Sequence, residues 1–92
     1  MAEQNTVTKA RKLPLNKKNL GWHLSEAQEE LAKLLHKLLT GSLNEDALQI
    51  GLRHTYHHLN FAWNTRRLPS KHRVSQREFE EWGRYPNDID ED

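Results

Sequence analysis

Residues 44–67, NEDALQIGLRHTYHHLNFAWNTRR, decide how this chain folds. Asn44 suits a helix N-cap, and Glu45 and Asp46 sit where the positive end of a helix dipole favours acids. Arg66 and Arg67 suit the opposite end, and Pro69 forbids continuation. At 100° per residue, Leu48, Leu52, Thr55, Leu59, Ala62 and Trp63 cluster on one face, flanked by Gly51 and Tyr56. A second strip, Ile50, His54, His57 and Phe61, lies roughly opposite. Only the sector around Gln49, Arg53, Asn60 and Asn64 is fully polar. A helix this apolar around its circumference is covered on more than one side, and one neighbouring helix covers only one of them.

Working upstream, Ser25-Glu26-Ala27-Gln28 reads as a capping box. From there Leu24, Ala27, Leu31, Leu34, Leu35 and Leu38 form one stripe, with Glu26, Glu29, Lys33 and Lys37 on the other side and Gly41 as a stop. The short loop at Gly41 predicts an antiparallel αα-hairpin of helices at about 25–40 and 44–67. Its expected core is Leu31, Leu35, Leu38, Leu52, Leu59 and Trp63. Downstream, Val74 to Phe79 combines a second capping box (Ser75, Glu78) with a hydrophobic staple, predicting a short third helix at about 76–83. The expected fold is all-α, with no strand or internal repeat. It has a flexible basic arm (1–20), one small helical domain (21–86) and an acidic tail (87–92).

Charge is sorted along the chain. Residues 1–23 hold five basic residues against one acid, and residues 24–47 five acids against two lysines. Residues 48–77 hold six arginines and lysines, four of the six histidines and no acid; residues 78–92 hold seven acids against Arg84. The net charge of +1 therefore hides a polarised molecule, suited to charged partners or to folding back on itself.

Several classes of function are disfavoured. The absence of cysteine removes disulfides, thiol catalysis and thiolate metal sites. Neither an apolar signal core nor a run of eighteen apolar residues occurs, so a cytoplasmic location and no membrane partner are expected. There is no nucleophile elbow, P-loop or dinucleotide fingerprint, and no catalytic residue, cofactor or small-molecule substrate is expected. His54 and His58 have the i,i+4 spacing of a metal pair but lack a third ligand, so no metal site is assigned.

The function expected is that of a small accessory or regulatory protein binding a protein partner or a second copy of itself. The Ile50, His54, His57 and Phe61 strip is the candidate interface. The alternative is a nucleic-acid-binding regulator. In that reading the basic arm and Arg66, Arg67, Lys71, Arg73 and Arg77 contact phosphates or an acidic partner, Trp63 and Tyr56 offer stacking surfaces, and the acidic tail competes.

Overall fold

The structure, a computed structural model, describes residues 13–89 and comprises three helices, α1 (Lys17–Leu39), α2 (Glu45–Asn64) and α3 (Gln76–Trp82). Among the described residues there is no strand. Helices α1 and α2 form the antiparallel hairpin, and α3 packs across α2. The starts of α2 and α3 follow their sequence signals, whereas α2 stops at Asn64, short of the expected Arg66 and Arg67. Asn44 Oδ1 accepts from the Ala47 amide at 2.8 Å, and Ser75 and Glu78 close a reciprocal capping box. At the end of α1, Gly41 takes φ +77°, and the Gly41 and Ser42 amides donate to the Leu38 and Lys37 carbonyls. That is the Schellman pattern that turns the chain into α2.

The start of α1 differs from expectation. It lies two turns before Ser25, so residues 17–20 of the expected arm are helical and Ser25 is an exposed mid-helix residue. Beyond the Asn16 cap, the local sequence does not favour this start: the first turn has no acid, and Lys17 and Lys18 oppose the dipole. Tertiary bonds supply the reason. Asn16 Oδ1 accepts from the Asn19 amide at 3.1 Å, while its Nδ2 donates to the Leu68 carbonyl at 2.8 Å. The Asn16 amide donates to the Arg66 carbonyl at 2.7 Å, and Asn19 Nδ2 to Thr65 Oγ1 at 2.8 Å. Residues 1–12 of the expected arm and 90–92 of the expected tail lie outside the described residues.

The core also differs. The buried apolar side chains of α1 and α2 are Ala27, Leu34, Phe61 and Ala62, joined by His23, Thr55, His58 and Thr65. Along α2 and its cap the buried positions 51, 55, 58, 62 and 65 step by four and three, and Leu20, His23, Ala27, Glu30 and Leu34 step likewise on α1. This is the seam of a coiled-coil-like pair. Small residues let the backbones approach: a Cβ on Gly51 would meet the Leu34 side chain at 2.6–2.9 Å. Thr55 and Thr65 return their hydroxyl protons to the carbonyls of Gly51 and Phe61, at 2.8 and 2.6 Å, and so enter the seam without an unpaired donor. The expected core of Leu31, Leu35, Leu38, Leu52, Leu59 and Trp63 is displaced sideways by this seam. Leu31, Leu35, Leu38 and Leu59 are exposed, and Leu52 and Trp63 are half-buried.

Candidate interaction surface

The seam divides the α1–α2 layer into two sides. On one side α3 covers much of the second strip. Phe79 packs on His57 and Phe61, with ring centroids 4.9 and 5.6 Å apart, and Trp82 meets Phe61 edge-on. Asn60 Nδ2 donates to the Gly83 carbonyl (2.9 Å) and Asn64 Nδ2 to the Trp82 carbonyl (2.8 Å), so the polar sector of α2 holds the end of α3. Gly83 is required by space: a Cβ there would lie 2.9 Å from His57 Nδ1. The candidate interface strip is therefore split. Phe61 is buried and His57 half-buried within the chain, whereas Ile50 and His54 remain exposed at its far end.

Four imidazoles gather on this side. His23 Nδ1 and His58 Nδ1 lie 3.1 Å apart, and His54 and His57 pack on His58 at centroid separations of 5.0 and 5.7 Å. Two protonated rings cannot share the His23–His58 contact, because one nitrogen must accept. Burial and the neighbouring imidazoles push His23 down to about 4, and burial lowers His57 and His58 as well. Glu26 and Glu30 oppose the shift at His58, and Glu30 Oε2 lies 3.2 Å from His54 Nδ1. The i,i+4 pair His54 and His58 finds no third ligand. Among the described residues, no group of three His, Cys, Asp or Glu side chains is placed to hold a metal ion.

The other side is bare. Leu24, Leu31, Leu35 and Leu38 of α1 and Leu48, Leu52, Leu59 and Trp63 of α2 share it, at about 40–120° from the seam on each helix. Leu24 is 51% exposed, Leu35 55% and Leu38 60%. Its end farthest from the Gly41 loop forms a groove between Leu15, Leu20, Leu24, Leu59 and Trp63, in which Ile89 rests. Sequence reasoning found these leucines but assigned them to the core. Hydropathy does not reveal that a row of small side chains at 51, 55 and 62 brings the helices together beside them.

The basic stretch is partly engaged within the chain. The Arg66 guanidinium lies 3.8 Å over the Trp63 ring, its Nη1 donates to the Trp63 carbonyl, and its Nη2 is 3.7 Å from Asp88 Oδ2. The Trp63 indole N–H donates to Asp88 Oδ1 at 2.9 Å, and this bond, with Arg66 beside it, holds the Asp88 carboxyl below its ordinary range. Arg67 Nη1 donates to the Leu13 carbonyl at 2.7 Å. Lys71, Arg73 and Arg77 are exposed on the α2–α3 connection and the start of α3, and Tyr56 is exposed on α2. Trp63, one of the two expected stacking surfaces, thus already carries an arginine.

No helix among the described residues is long and apolar enough to cross a membrane. Comparison with family models, curated proteins and solved structures finds no match for this chain, so its own geometry carries the functional reading.

Proposed function

We propose that this chain is a non-enzymatic accessory protein that works by binding protein, and that its contact surface is the leucine face of the α1–α2 layer. The observation that carries the reading is a continuous row of half-exposed leucines drawn from two helices and free of charged side chains along its middle. Bare apolar surface of this extent on a small domain costs solubility and marks an association site. Ile50 and His54 lie on the other side of the seam, where α3 already takes up Phe61 and His57; that observation moves the proposed interface from the second strip to the leucines.

The test is site-specific photocrosslinking in the native cells. A photoreactive residue at Leu35 or Leu38 should give protein adducts, whereas one at Lys33, on the other side of α1, should not. Equal adduct yields at the three positions, or none at the leucines, would refute the reading.

A further inference from the structure

We infer that the leucine face is closed by a second copy of this chain, packed head to tail about a two-fold axis lying between the faces and perpendicular to the helices. The proposal rests on the reading of the leucine face as an association surface and names its occupant.

Shape gives the first reason. The face is two helices wide and runs from Leu20 and Trp63 at the open end to Leu38 and Leu48 at the loop end. With 1.5 Å per residue and helices of 10–12 Å diameter, it measures about 30 by 20 Å. That is a footprint of the order contributed by each partner in a standard interface, about 800 Å². A single amphipathic helix would leave half of it wet, whereas another two-helix layer matches it and completes a four-helix bundle. This chain carries such a layer.

Among the described residues outside the two helices, Leu15 and Ile89 reach this side, and only at the groove of the open end. Residues 1–12 hold Met1, Ala2, Val7 and Ala10 as their only apolar side chains, too little to cover a row of leucines.

Charge sets the direction. Lys17, Arg66 and Arg67 stand at the open end, with Asp88 offsetting part of their charge, and Glu45 and Asp46 stand at the loop end, with Lys37 offsetting part of theirs. A head-to-tail dimer lays each basic end over the partner copy's acidic end, whereas a head-to-head dimer opposes like charges at both. The uncharged middle has the composition of a homodimer interface.

Sedimentation equilibrium of the full chain at micromolar concentrations should give twice the 10.9 kDa chain mass. Leu35→Asp and Leu59→Asp should each return the chain mass with unchanged far-ultraviolet circular dichroism. The chain has no cysteine, so single-cysteine variants read the geometry independently of those substitutions. Leu31→Cys, near the middle, should oxidise to a disulfide-linked dimer. Leu20→Cys and Leu38→Cys should link to each other in a mixture and much less to themselves. A chain-mass wild type at all micromolar concentrations overturns the proposal and leaves adducts in the photocrosslinking experiment to be explained by a foreign protein. Dimers that survive both aspartate variants overturn the face. End cysteines that link mainly to themselves overturn the head-to-tail arrangement.

Discussion

The two sides of the α1–α2 layer are both rich in apolar side chains, yet among the described residues one is covered by α3 and the other has no such cover. The covered side is built from flat rings: His23, His57, His58, Phe61, Phe79 and Trp82 meet face-tilted or edge-on at centroid separations of 4.9–6.3 Å. A seven-residue helix suffices to cover such rings, because each aromatic presents much apolar area and the flanking asparagines fix the helix in place. The bare side is built from leucines with no polar clasp at its middle. Leucines of this kind need a second layer of similar width. The described residues supply none on this side. The lesson is that the number of apolar residues on a face does not decide its burial; the availability of a matching surface does.

The largest effect should separate the two sides directly. Phe61→Ala, at the centre of the covered side, should cost about 3–5 kcal/mol in urea denaturation. Leu35→Ala, on the bare side, should cost less than about 1 kcal/mol when measured at high dilution. Similar losses at the two positions would break the comparison.

Between about pH 6.5 and 4, acid should act on the covered side. The folded chain keeps His23 neutral down to about 4, and His57 and His58 neutral below their ordinary 6.5, while the unfolded chain takes up these protons as pH falls through 6.5. Because the unfolded state then binds more protons, stability falls from about pH 6.5 towards 4, by about 1.4 kcal/mol per pH unit for each proton of difference. Glu26 and Glu30 moderate the effect at His58. Denaturation midpoints that do not move between neutral and mildly acid pH would show that the imidazoles are hydrated rather than enclosed.

Two smaller effects sharpen the picture. Asn16→Ala should cost about 1–2 kcal/mol by removing the cap of α1. It should also raise amide exchange from Lys17 to about His23, because the bonds to Leu68 and Ser70 that tie the first turns to the α2–α3 connection go with it. Exchange confined to residues before Lys17 would mean that α1 starts there without help. Asp88→Asn removes an exposed contact and should change stability by less than about 0.5 kcal/mol, while shifting the Trp63 indole proton resonance. An unmoved resonance would show that Asp88 does not rest on Trp63 in solution.

Local signals with few competitors were legible in the chain. Asn44 before Glu45-Asp46, Ser75 with Glu78, and Gly41 after the leucine stripe each fix a helix end within a residue or two, and the all-α hairpin follows from them. The Ser25 box has the same pattern and fails, since a serine at an exposed helix position costs little and the chain before it is held by Asn16 and Asn19. Of the candidate interface, the sequence placed Ile50, His54, His57 and Phe61 correctly on one strip of α2, but α3 buries one end and leaves the other open. The four-histidine grouping was half visible: the H-x-x-H-H run is local, whereas His23 joins it across the hairpin.

Periodicity, capping and charge order thus determine by themselves that residues 13–89 make three helices, where two of them turn, and that two apolar stripes exist on α2. The rotation of the helices about their axes was decided only in the tertiary structure. Burial energy ranks leucine above glycine or threonine, but backbones approach most closely where side chains are smallest. The Gly51, Thr55 and Ala62 row therefore took the seam, with Leu34 seated against Gly51, and turned the leucines outward.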